Sequence, residues 1–176
     1  CYKKNYNYSF NKKFILKYKH INNINIIGMG GSSLGCKAIY NFLIYKIKKK
    51  LTFSENLNLK KKNKKKSLNI VISKSGSTLE TIVNFNSEFN KKDKNIFITE
   101  KSNNYLEKLA NKLKSDVVEH KNFIGGRYSV LSEVGMLPAE LMGLKESQFK
   151  QFNNLITKKK FLKNLINNVL STYQFI

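Results

Sequence analysis

Apolar residues along the chain fall into two alternating kinds of run. Short β-rich stretches, Ile24 to Ile27, Leu68 to Ser73, Asn95 to Thr99 and Asp116 to His120, read as strands. Between them the apolar positions recur at helical spacing. Leu34, Ala38, Ile39, Phe42 and Leu43 form one such face, and Leu79, Ile82, Val83, Phe85 and Phe89 a second. Leu106, Leu109, Ala110 and Leu113 form a third, the cleanest stripe in the chain. Phe14-Ile15-Leu16 points to a helix in the aromatic, basic lead-in. A further helix is expected up to about Gly143, bent or broken near Pro138, the only proline. Two amphipathic segments, at 146–157 and 159–171, close the chain.

Strand and helix alternating at least four times predict an α/β fold. It is a three-layer sandwich with an open parallel sheet and helices on both faces. Ligands of such sheets bind beyond the carboxyl ends of the strands. Three unusual loops follow strands and should gather there: Gly28-Met-Gly-Gly-Ser-Ser-Leu-Gly35, Ser73-Lys-Ser-Gly-Ser-Thr78 and Ile124-Gly-Gly-Arg-Tyr-Ser129.

The second loop is built for an anion. It empties into a helix whose first N–H groups lack partners, and Ser73, Ser75, Ser77 and Thr78 add hydroxyl donors. Lys74 and the helix dipole both favour negative charge. Ser77 and Glu80 also fit a capping box, which would leave Ser73, Ser75 and Thr78 unexplained. Two familiar phosphate-binding classes fail on chemistry. The dinucleotide fingerprint finds Ser33 where its third glycine belongs, and no acid closes the strand that ends at Ser73. The P-loop pattern finds Lys37 one place late, with Ala38 where a hydroxyl should hold magnesium. What remains suits a small phosphorylated polyol, and Gly30 and Gly31 would let backbone approach it closely.

Composition changes this picture at one residue. The formal charge is +22, yet 32 of the 33 basic residues are Lys and Asn occurs 24 times, which reads as compositional drift rather than a nucleic-acid surface. The run Lys60 to Lys66 reads as a solvated, self-repelling loop. Against that background Arg127 is the only arginine, so its position calls for a planar fork or a permanent charge. It could stabilise a developing oxyanion. Cys1 and Cys36 show no metal spacing, Cys36 reads as a reduced core thiol, and His20 and His120 receive no chemistry. No run of 18 apolar residues exists and the N-terminus lacks a signal-peptide core, which points to the cytoplasm without a membrane partner. The start at Cys1 and the stop straight after a helical pattern read as a partial chain.

The three loops, together with Ser132-Glu-Val-Gly-Met-Leu-Pro-Ala-Glu-Leu-Met-Gly143, resemble the glucose-6-phosphate isomerase family in order and context. The serine-rich loop is shared by many SIS (sugar isomerase) domains, whereas Gly125-Gly-Arg-Tyr-Ser129 is narrower. The resemblance covers residues 22 to 143 and implies a flavodoxin-like SIS domain. It also implies conversion of glucose 6-phosphate to fructose 6-phosphate through a cis-enediolate, with no metal or organic cofactor. Ser73, Lys74, Ser75 and Thr78 would then hold the phosphate, with Gly31 and Ser32 against the sugar. Gly126 and Arg127 would lie by C1 and C2, and Arg127 would stabilise the enediolate. The family's glutamate base, ring-opening histidine and C-terminal lysine have no match here, so the 176 residues alone should be inactive. A homodimer is implied for the full-length enzyme. The domain reading is a lead-in over 1–21, an SIS domain over 22–145, and helices over 146–176 leading to a missing second half. The rival reading is a non-catalytic SIS domain that senses a sugar phosphate.

Overall fold

The computed structural model describes residues 6–57, 66–151 and 153–174. The lysine tract and Cys1 therefore lie outside the described residues, apart from Lys66. Five parallel strands, β1 (Asn23–Ile27), β2 (Lys50–Ser54), β3 (Leu68–Ile72), β4 (Lys94–Thr99) and β5 (Asp116–Glu119), form one sheet in the order β2-β1-β3-β4-β5. On one face lie α1 (Lys12–Tyr18), α2 (Leu34–Phe42) and α5 (Glu133–Leu141). On the other lie α3 (Leu79–Glu88) and α4 (Tyr105–Lys112). The expected three-layer α/β sandwich is what forms.

Period-two alternation decides which core each strand residue joins. Ile24, Ile26, Ile70, Ile72, Ile96 and Ile98 pack with α2 and α5. Ile27, Val71 and Phe97 face Phe85 of α3 and Leu106 of α4. That second face also holds a polar row, since Asn25, Asn69 and Asn95 are in register across β1, β3 and β4. The row is satisfied internally, as buried amides must be. Asn69 Nδ2 donates to Asn95 Oδ1 at 2.9 Å, Thr52 donates to Asn25 at 3.0 Å, and Glu88 accepts from Asn25 and Ser54.

Three features depart from the sequence reading. Strand β2 is absent from the strands read in the sequence, because it is an edge strand that follows a run of lysines, with no more than Leu51-Thr-Phe53 to signal it. Its Ser54 carbonyl accepts from Gly28 N at 3.3 Å and so fixes the start of the first loop. Helix α5 runs through Pro138 without breaking. Proline there removes the donor that would reach the Val134 carbonyl, while nearly every other side chain of the helix is buried and holds it in place. The helix stops where expected: Gly143 is left-handed at φ +91°, and Leu144 N closes back on Ala139 O at 3.0 Å. The third departure concerns the cap of α3 and belongs to the site.

Downstream, a short 3-10 turn (Glu146–Lys150) leads to α6 (Asn153–Ile156) and α7 (Lys159–Tyr173). Helix α7 carries a regular apolar stripe, Leu162, Leu165, Ile166, Val169, Leu170 and Tyr173, and buries none of it. Among the described residues no helix is long and apolar enough to cross a membrane.

Candidate functional site at the carboxyl edge of the sheet

In a 2-1-3-4-5 sheet the winding reverses between β1 and β3, and the loops leaving those two strands border a crevice. The first loop is shaped by backbone. Gly28 is buried, with the Ile72 carbonyl 2.9 Å from where a Cβ would sit. Gly30 is left-handed at φ +55°, which turns the chain into a 3-10 segment (Gly30–Ser32) ahead of α2. Ser33 does not face a ligand. It is wholly buried, and its Oγ donates to Glu55 at 2.7 Å while Lys37 Nζ reaches the other Glu55 oxygen at 2.6 Å. Glu55, directly after the unexpected β2, braces this loop. One of only 11 acidic residues in a lysine-rich chain, it was the available signal for that role.

The second loop is shaped by hydroxyls. Buried Ser73 Oγ shares a hydrogen bond with Thr78 Oγ1 at 2.8 Å and accepts from Gly76 N at 3.2 Å. Ser75 and Ser77 are exposed, their hydroxyls 3.1 Å apart. The capping box does not form. Thr78 is the N-cap of α3, and no side chain caps the helix. The first amides of α3 are therefore left by the protein for another acceptor. Gly76 is left-handed at φ +66° and lies against Asn104, whose Oδ1 would be 1.9 Å from a Cβ. Asn104 cannot yield easily. It caps α4 through Glu107 N at 3.0 Å and donates to Thr99 and to the Glu100 carbonyl. Lys74 lies in the loop, but its ammonium is held by the Asn122 carbonyl at 2.8 Å and by Glu100 at 3.3 Å.

The third loop leaves β5 at the far side of the sheet and returns across the strand ends to the first. On its way Asn122 takes Lys74, and it ends in a 3-10 segment, Gly126–Leu131. There the two backbones meet. A Cβ on Gly31 would stand 2.3 Å from the Gly126 carbonyl oxygen and 3.0 Å from Arg127 N. Ser129 Oγ bonds the Gly126 carbonyl at 2.6 Å and reaches the Gly31 carbonyl at 3.3 Å. Arg127 is exposed, and its side chain makes no hydrogen bond or ion pair among the described residues. Its guanidinium is the cation at this edge that the protein has left uncommitted, in contrast to Lys37 and Lys74.

Two buried titratable groups lie close by. Burial pushes the Cys36 thiol up to about 12, so it is an inert core residue. His120, buried at the start of the third loop, is pushed down by burial and by nearby Lys74, against an opposing hydrogen bond to the Lys121 carbonyl. Among the described residues no three His, Cys, Asp or Glu side chains cluster as metal ligands would.

The expected site residues Gly31, Ser32, Ser73, Lys74, Ser75, Thr78, Gly126 and Arg127 are thus gathered on one edge. The model of the phosphoglucose isomerase family matches residues 14–168. The chain belongs to that family. It is 33% identical over 177 aligned positions to a glucose-6-phosphate isomerase of Methanocaldococcus jannaschii, covering 88% of this chain and 43% of the relative. An Acholeplasma laidlawii glucose-6-phosphate isomerase is 37% identical over 73% of this chain and 35% of its own length. The chain therefore spans about two fifths of the curated relatives it matches. Among solved structures, a hypothetical protein from Thermus thermophilus shares the fold with a TM-score of 0.67 at 22% identity, over 78% of this chain and 38% of that one. A tagatose-6-phosphate ketose/aldose isomerase from Escherichia coli does so at 0.58 and 13%, over 79% and 42%.

Proposed function

We propose that this phosphoglucose isomerase chain is the sugar-phosphate-binding part of an enzyme that interconverts glucose 6-phosphate and fructose 6-phosphate. The phosphate docks on Ser73, Ser75 and Thr78 and the uncapped amides of α3. Lys74 adds positive charge from its place between Glu100 and Asn122. The sugar lies over Gly31 and Ser32, and Gly126 and Arg127 face C1 and C2. A general base carries a proton between C2 and C1, and the electron pair left behind is held as a cis-enediolate oxyanion. Arg127 stabilises that charge, which is larger in the transition state than in either sugar.

The carboxylates that brace this edge are engaged, Glu55 with Ser33 and Lys37, and Glu100 with Lys74. We assign the base and the ring-opening acid to segments outside these 176 residues, in a homodimeric whole enzyme. Residues 22–145 are then the binding unit, and 146–176 lead toward a second half.

The observation that supports this reading is the contact of Gly31 with Gly126, which brings the backbone of the lone arginine against the loop that follows β1. Calorimetry on this chain tests it. Glucose 6-phosphate should bind more tightly than inorganic phosphate, and glucose should not bind measurably. Equal affinity for phosphate and glucose 6-phosphate would remove the sugar from the site.

A further inference from the structure

Glu133 is the first residue of α5, two positions beyond the 3-10 segment that carries Arg127, and it is 0% exposed. No basic side chain forms an ion pair with it among the described residues. A carboxylate kept from water without a cation is expensive unless hydrogen bonds satisfy it. Here both oxygens are satisfied from the lead-in. Tyr6 OH donates to Oε2 at 2.7 Å and Ser9 N donates to Oε1 at 3.0 Å. Tyr8 OH adds a bond to the Leu131 carbonyl at 3.1 Å, the last residue of the Arg127 segment. Burial and the Glu133 carboxylate both raise the Tyr6 hydroxyl far above its ordinary value, so it remains a donor.

The lead-in is itself stiffened for this task. Tyr6 packs edge-to-face on Tyr8, and Tyr8 lies tilted against Phe10, with ring centroids 4.8 and 5.1 Å apart, and Lys150 Nζ lies 4.8 Å over the Tyr8 ring. The Arg127 segment is thereby held at both ends. Gly31 and Ser129 fix its beginning, while Glu133, Tyr6, Tyr8 and Ser9 fix its end. Hydrophobic packing alone would leave it free to slide. A buried carboxylate with two directional donors sets one register.

We propose that residues 6–10 are a clasp on the site, and that Glu133 and Tyr6 are positioning residues that act through the Gly126–Leu131 segment to set Arg127. This rests on the isomerase reading only for what Arg127 does, not for how it is held. The sole arginine makes the test clean, because arginine-selective nitrogen labelling gives one backbone and one side-chain Nε signal. In the unliganded protein, Glu133→Gln and Tyr6→Phe should each shift or broaden the Arg127 signals and, in uniformly nitrogen-labelled samples that also show the glycine and serine amides, the Gly126 amide. The Ser75 and Ser77 amides should stay in place, and the affinity for inorganic phosphate should hold within about twofold, a difference of under 0.5 kcal/mol. A role confined to overall stability would move all of these together. Tyr6→Phe lacks a single hydroxyl and decides the matter if Glu133→Gln does not fold. Unmoved Arg127 and Gly126 signals in Tyr6→Phe overturn the clasp. If instead the wild-type Arg127 signals ignore saturating glucose 6-phosphate, the isomerase reading fails, and the unliganded spectra still judge the clasp.

Discussion

The two loops bordering the crevice reach the same end by opposite means. The loop after β1 is defined by what it lacks: at Gly28 and Gly31 the backbone of another segment occupies the space of a side chain. The loop after β3 is defined by what it carries, a set of hydroxyls that hold one another and leave the amides of α3 uncapped. Backbone contact of the first kind fixes distance and tolerates no addition. Hydroxyl networks of the second kind fix direction and tolerate single losses. On the proposed reading, one ligand with two different ends would use both, a rigid platform for the sugar and a ring of donors for the phosphate.

The largest effect should come from Arg127, whose segment packs on the first of these loops. In the whole enzyme proposed above, Arg127→Lys should depress kcat by about 10²–10³-fold, as removal of one oxyanion donor does elsewhere, with KM little changed. A sensor domain would show no such split, since it has no transition state to stabilise. Next comes Gly31→Ala, where the new methyl meets the Gly126 carbonyl. We expect about 1–3 kcal/mol of destabilisation, read from the urea midpoint, as for other overpacked sites. Gly76→Ala should cost about 1–2 kcal/mol through its left-handed backbone, with Asn104 too well bonded to move aside.

Protonation gives a subtler break between the loops. His120 anchors the third loop, and its folded pKa lies below its usual 6.5. Above pH 6.5 its contribution is fully present. As pH falls below 6.5 the unfolded chain takes up a proton that the buried ring refuses. Stability then drops by at most about 1.4 kcal/mol per pH unit, and the loss levels off beneath the folded pKa. Thermal melts across that window should show the slope, and His120→Gln should flatten it. The smallest effect belongs to the hydroxyl loop. Ser75→Ala should leave stability within about 0.5 kcal/mol while weakening phosphate binding by about 0.5–1.5 kcal/mol.

Much of this was legible because the core strands and the site loops leave strong marks. Ile24–Ile27 and Leu68–Ile72 are apolar runs that a buried sheet explains, and the glycines and serines clustered after them are the mark of a turn. A single arginine among 32 lysines marked the third loop. What escaped reading is long-range or marginal. Strand β2 earns its place by pairing with β1, since its own residues signal little. The capping box at Ser77 fits the local pattern, yet Thr78 takes the cap position and turns its hydroxyl to Ser73 instead. Lys74 looked free for an anion until Glu100 and Asn122 came within reach through the sheet. The bond between Tyr6 and Glu133 spans 127 positions and has no sequence signature.

The contrast with α7 marks the limit of pattern reading. Its stripe is as regular as that of any core helix, yet no side chain on it is buried. Periodicity says that a face is apolar and leaves unsaid what covers it.

The central claim is that three separated turns act on one small molecule. A crystal structure of the chain with glucose 6-phosphate tests it most directly. The account predicts phosphorus seated on the 73–78 loop at the start of α3, with C1 and C2 reaching toward Gly31 and Arg127. A phosphate bound anywhere else, or an Arg127 guanidinium turned away from the sugar, would contradict it.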